Sequence, residues 1–160
     1  MRTALLIAVP EAEPLVGALR ARYDHAHENG IPAHVTILFP FGDRDDGLAE
    51  LFAGFEPFDF ALTRVERWPD VLWLAPEPEE RFVELTRALV ARYPGYPPYE
   101  GSHETVIPHL SVAHRTQAPL AVDDELRQGL PVRARATHAV QLEEHADDRW
   151  RERQRFRLGR

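Results

Sequence analysis

The sequence predicts an α+β fold made of two related lobes, and three observations point there. Short apolar runs alternate with amphipathic stretches along the whole chain. Segments of the first half reappear in the same order in the second. The composition, 44% hydrophobic and 28% charged over 160 residues, is that of one globular domain rather than of a disordered chain.

Periodicity and punctuation assign the elements in order. Thr3–Val9 is an apolar strand, stopped by Pro10-Glu11, and Pro14–Tyr23 is an amphipathic helix. Ala33–Phe39 is a strand and Asp45–Gly54 a short helix. Phe58–Arg67 alternates apolar and polar residues, the period of a half-buried strand. Val71–Ala75 is a buried strand, and Glu79–Arg92 is a helix with Phe82, Leu85, Leu89 and Val90 on one face. His109–Ala113 is a strand and Val122–Gln128 a helix. Val132–Leu142 and Trp150–Leu158 complete the set as strands.

The duplication is visible residue by residue. Leu5–Val9 followed by Pro-Glu-Ala-Glu matches Val71–Ala75 followed by Pro-Glu-Pro-Glu. Each copy leads into an amphipathic segment ending in Arg-Tyr, at Arg22-Tyr23 and Arg92-Tyr93. A polar, Gly-containing loop then ends in Ile-Pro, at Ile31-Pro32 and Ile107-Pro108. Residues 1–160 therefore read as one bilobal domain. Repeat one spans about 3–67, repeat two about 70–142, and a C-terminal strand about 149–158.

Composition excludes several chemistries. With no cysteine there is no disulfide, thiolate nucleophile or Cys-ligated zinc. All 19 basic residues are arginine, so a lysine nucleophile and a Walker GK[ST] loop are excluded too. A net charge of −7 disfavours long nucleic acids as the main ligand but leaves room for a local phosphate clamp. The apolar run Ala4–Val9 is short for a signal-peptide core, and the expectation is a cytoplasmic monomer with no membrane contact.

The chemistry lies where each repeat leaves its Ile-Pro loop, in Ala33-His34-Val35-Thr36 and in His109-Leu110-Ser111. Strand side chains alternate faces, so His34 shares a face with Thr36, and His109 with Ser111. The Cα atoms of such a pair lie roughly 6.6 Å apart, room for a phosphate between ring and hydroxyl. If an approximate twofold relates the halves, both pairs face one cleft. In-line cleavage of a phosphodiester needs a base on the attacking oxygen and an acid on the departing one. Two histidines, with unperturbed pKa near 6.5, divide those roles at neutral pH. The hydroxyls hold the non-bridging oxygens. No metal or other cofactor is required.

The pattern His-hydrophobic-Ser/Thr-hydrophobic, twice, about 75 residues apart in a duplicated α+β chain, resembles the 2H phosphoesterase superfamily. The run Ala33–Phe41 looks like its bacterial 2′-5′ RNA ligase-like branch, and the resemblance extends from Leu5 to about Leu158. It implies a fold of two pseudo-twofold-related lobes, with antiparallel sheets lining a central cleft and helices outside. It also implies a metal-independent enzyme acting on 2′,3′-cyclic phosphates or 2′-5′ phosphodiesters, or running the reverse RNA ligation. The partner is then a nucleotide or short RNA. Ser111 stands where Thr is commoner, which keeps the donor but loses β-branched stiffness.

Further candidates surround the motifs. Arg115, six residues after His109, is placed to clamp a phosphate bidentately. Phe39, Phe41 and Tyr99 are candidates to stack on a base. His25, His27 and His103 lack metal-ligand spacing, so no metal site is expected. Arg149–Leu158 alternates strictly and as a strand would put five arginines on one face, read as a solvated sheet face. Two other readings stay open: a nucleotide-binding module of the same fold without useful turnover, and a zinc hydrolase built on the histidines.

Overall fold

Two antiparallel four-stranded sheets carry the described residues, which in this computed structural model are 1–102, 106–114 and 117–160. The strands are β1 (Thr3–Ala8), β2 (His34–Phe41), β3 (Phe58–Trp68), β4 (Val71–Glu77), β5 (Leu110–His114), β6 (Val132–Ala136), β7 (His138–Glu144) and β8 (Trp150–Arg157). The helices are α1 (Glu13–Tyr23), α2 (His25–Glu28), α3 (Leu48–Ala53), α4 (Glu80–Arg92) and α5 (Leu120–Gln128). The first sheet runs β2-β1-β7-β8 and the second β5-β4-β3-β6. The class is α+β, as the sequence predicts. No helix among the described residues is long and apolar enough to cross a membrane.

The two motif strands hold equivalent places. Each is an edge strand beside an apolar central strand, β2 on β1 and β5 on β4. These edges lie next to one another, and α1 packs against β5 while α4 packs against β2. Alternation then sorts the side chains. Val35 and Ile37 of β2, and Leu110 and Val112 of β5, point into one core with Phe82, Leu85 and Leu89 of α4. Among the described residues the opposite faces carry two small apolar clusters, Leu6, Val140 and Leu142 on one sheet and Val71, Trp73 and Ala75 on the other.

Three expectations change. The predicted strand Val132–Leu142 is two strands broken at Thr137, because the chain leaves the second sheet there to pair with β1 in the first. The short helix α2 is an addition to the predicted elements; the Asp24 side chain caps it by accepting from the Ala26 amide. The C-terminal arginines do not form one comb. A register shift between Gln141 and Leu142 leaves Arg155 opposite Val140 but Arg151 opposite Glu143, on different faces. Arg151 pairs with Asp147, Arg153 with Asp43 and Arg155 with Glu152.

Candidate active site

The first motif is held from behind by a fixed loop. Gly30 turns it with φ of +91°, a conformation that disfavours any side chain. Asn29 O accepts from the Trp150 amide at 2.8 Å, tying the loop to β8. The Arg20 guanidinium donates to Ile31 O at 2.9 Å, and the Ala33 amide donates to the Glu13 carboxylate at 2.7 Å. Arg20 is wholly buried and pairs with buried Asp24 at 3.0 Å, one helical turn on. From the other side, the Thr86 hydroxyl of α4 donates to Ile37 O at 2.7 Å.

Both imidazoles are oriented the same way. His34 Nδ1 lies 2.7 Å from Pro32 O, and His109 Nδ1 lies 2.7 Å from Ile107 O. A carbonyl only accepts, so each Nδ1 carries its proton and each neutral ring keeps its lone pair on Nε2. Both carbonyls belong to the residue two before the histidine, the proline of Ile31-Pro32 in one copy and the isoleucine of Ile107-Pro108 in the other. His34, Thr36, His109 and Ser111 are all half-buried, while the residues between and flanking them are buried.

Burial shapes the titration. It holds His34 down to about 4; the Pro32 carbonyl opposes this, and the positive Arg20 and His109 add to it. His109 is also held below its ordinary value by burial, by a smaller shift. Its ring is enclosed by two indoles, Trp68 at 4.9 Å and Trp73 at 5.9 Å between centroids. Neither tryptophan is among the candidates the sequence offers. Burial keeps the Tyr99 phenol protonated, and it shares a hydrogen bond with Thr36.

The depressed His34 has a consequence for stability. Between pH 6.5 and 4 the unfolded chain takes up a proton that native His34 refuses, so this residue costs stability as pH falls through that window. His34→Gln removes the cost. Discounted for partial exposure, the variant is expected to be more stable than the parent by about 1–2 kcal/mol at pH 4. Near pH 7.5 this proton-linked difference is absent. Urea unfolding at the two pH values checks this; a stability difference that does not change with pH contradicts it.

The other candidates fall in different places. Phe39 is half-buried, edge-on to Tyr99 and Trp150, with the Arg2 guanidinium 5.5 Å from its ring centre. Phe41 is 1% exposed and packs on Tyr93 and Tyr96 in the core, leaving no face for a base. Two register shifts between β1 and β2 turn Phe39 out and Phe41 in. Arg115 and His103 lie outside the described residues. His25 and His27 sit on α2, and His114 ends β5 with Nε2 4.0 Å from Asp24. Among the described residues, no three His, Asp or Glu side chains gather as a metal site would require.

The sequence profile of the 2′-5′ RNA ligase superfamily matches residues 8–148. No curated protein sequence matches the chain. Solved structures do. E. coli LigT complexed with 3′-AMP superposes with a TM-score of 0.64 at 16% identity, covering 99% of this chain and 98% of that one. A structure described as a phosphoesterase gives 0.65 at 18% identity with the same coverage. The protein TT0787 of Thermus thermophilus gives 0.63 at 19%, again covering 99% and 98%. At such identities the likeness speaks for the fold, and the profile match over most of the chain speaks for the family. The chain belongs to the 2′-5′ RNA ligase superfamily.

Proposed function

We propose that the protein is a metal-independent phosphoesterase that opens 2′,3′-cyclic phosphates or cleaves 2′-5′ phosphodiesters, with His34 and His109 as its acid–base pair. The observation that carries this reading is the matched pair of imidazoles. Each is pinned through Nδ1 to a backbone carbonyl, and they sit on neighbouring edge strands with a hydroxyl two residues on. E. coli LigT, which shares the fold, has been crystallised with 3′-AMP, ATP and NADP+, which supports a nucleotide as ligand.

His34 has the lower proton affinity and acts as base; His109 keeps its proton longer and acts as acid. For a cyclic phosphate, His34 Nε2 takes a proton from water as the water oxygen bonds to phosphorus. The opposite P–O bond to the ribose breaks, and His109 Nε2 gives its proton to that oxygen. Thr36 and Ser111 donate to the non-bridging oxygens, where charge accumulates. The products are a nucleoside phosphomonoester and a site with its two protonation states exchanged. With a ribose 5′-hydroxyl in place of water as the attacking group, the same steps join RNA ends, the 5′ oxygen bonding to phosphorus as the ribose oxygen departs.

Turnover of a panel of 2′,3′-cyclic nucleotides and 2′-5′ dinucleotides in the presence of chelator tests the proposal, with activity expected to survive. Tight nucleotide binding without turnover would instead support a binding module, and zinc-restored activity would support a zinc hydrolase. The pH profile is a second test. A neutral base and a protonated acid in the free enzyme require kcat/KM to rise above about pH 4 and to fall again at or below 6.5. An acidic bell is therefore expected, its limbs belonging to the pair. A maximum near pH 8 would contradict the assignment.

A further inference from the structure

His109 lines a pocket of about 590 Å³ together with Trp68, Val71, Tyr99 and Ile107, with Asp70 and His114 as further polar groups. Its wall is aromatic and braced. Trp68 ends β3 across the hairpin from Val71 and stacks on Trp73 at 4.5 Å between centroids, tilted by 38°. Trp73 lies opposite Ser111 in the β4–β5 register. Its indole N–H is buried and has no acceptor among the described residues, although its side chain is only 6% exposed. A buried donor without a partner costs about 1–3 kcal/mol unless something else supplies an acceptor.

The floor of this pocket is costly in a second way. Tyr99 and Glu100 both adopt left-handed backbone, with φ of 50° and 57°, next to Gly101 at 80°. Non-glycine residues avoid this region, and such conformations persist where a site requires them. The turn sets Tyr99 between Thr36, which it hydrogen-bonds, and the pocket it lines. Thus one side chain touches both the first motif and the aromatic chamber.

We infer that this pocket is the base-recognition subsite, taking the nucleobase of a substrate whose phosphate lies between His34 and His109, with the base stacked on Trp68. The inference rests on the phosphoesterase reading for the position of the phosphate. Its volume suits a nucleoside rather than a polymer segment. Indole is the best stacking surface a protein offers a flat π-system, and the wider purine ring covers more of it than a pyrimidine. Asp70 brings a carboxylate, which accepts from the amino edge of adenine or guanine. On the His34 side the aromatic rings of Phe39 and Trp150 meet edge-on, 5.9 Å between centroids, whereas Trp68 lines one pocket together with His109. The base is therefore placed on the His109 side, and the nucleoside it belongs to is the one retained next to the acid.

Two measurements test this on the full chain. The first compares kcat/KM for adenosine 2′,3′-cyclic phosphate with that for glycerol 1,2-cyclic phosphate, which has the same reacting ring and no base. The ratio is expected to fall roughly 10-fold or more in Trp68→Ala and to be largely kept in Trp68→Phe. Because it is a ratio, a general loss of activity from disturbing His109 does not affect it. An unchanged ratio in Trp68→Ala overturns the inference. The second uses the His34→Ala/His109→Ala double variant and follows tryptophan fluorescence on adding adenosine 3′-phosphate. Saturable quenching that weakens roughly 10-fold in affinity with Trp68→Ala is expected; quenching indifferent to Trp68→Ala overturns the site. If the parent turns over no cyclic phosphate while Trp68-dependent quenching persists, the pocket stands and the reaction assigned to the histidines is what fails.

Discussion

His34→Ala and His109→Ala are each expected to lower turnover of 2′,3′-cyclic nucleotides by ~10²- to 10⁴-fold, the range a positioned acid or base contributes. The loss should appear in kcat, because the imidazoles act on bonds that form and break in the transition state. The two losses should not multiply. With one imidazole gone, the other has no complementary partner for the proton cycle, so the double variant should resemble the worse single one. The pattern distinguishes the pair from two separately useful residues. His109 also braces Trp68, at 4.9 Å. His109→Ala should therefore raise KM as well, whereas His34→Ala should leave it nearly unchanged. Full activity in either variant would remove the mechanism.

Arg20→Met is expected to destabilise the fold by about 3–5 kcal/mol, the cost of breaking a buried ion pair by removing one partner. Arg20 is wholly buried and Asp24 is 3% exposed, so the carboxylate left behind can reach neither water nor another guanidinium. The Ile31 carbonyl also loses its donor. A drop in the urea midpoint corresponding to less than about 1 kcal/mol would contradict this. Arg20 donates to the carbonyl of the loop that leads into His34, and the pH profile of this variant tests whether it positions that residue. Arg20 pushes the His34 proton affinity down and Asp24 pulls it up, so removing the cation moves the acid limb of kcat/KM to higher pH. A merely structural role would lower activity at every pH without moving that limb. Adding Asp24→Asn removes the stranded charge, and part of the lost stability should return.

How much of this is legible in the sequence follows from which distances along the chain the information spans. The motif pairs are local. Two-residue alternation alone puts His34 with Thr36 and sends Val35 and Ile37 to the core, and the burial of these residues agrees. The same alternation fails further along the strand. One register shift between β1 and β2 inverts its phase at Leu38 and a second restores it, so Phe39, which has the parity of Val35 and Ile37, turns out, while Phe41 keeps that parity and lies in the core. A bulge leaves no signature in a run such as Leu38-Phe39-Pro40-Phe41. Trp68 escapes a sequence reading for a different reason: strand β3 has two faces, and which one meets the cleft depends on its pairing with β4 and through that on β5. Arg20 reads as an ordinary surface arginine on a helix. Only Asp24 at i+4 hints at a pair, and nothing local reveals that both are buried. The break at Thr137 is likewise a tertiary event, since the two strands it separates are continuous in hydropathy and differ only in which sheet they join.

The most direct measurement is a histidine ¹⁵N NMR titration of the parent with a nucleoside 3′-phosphate. If one phosphate lies between both rings, the Nε2 resonances of His34 and His109 move together, with a single dissociation constant. The Nδ1 resonances, tied to Pro32 and Ile107, change little. Should only one ring respond, or the two respond with separate affinities, the shared phosphate site does not exist.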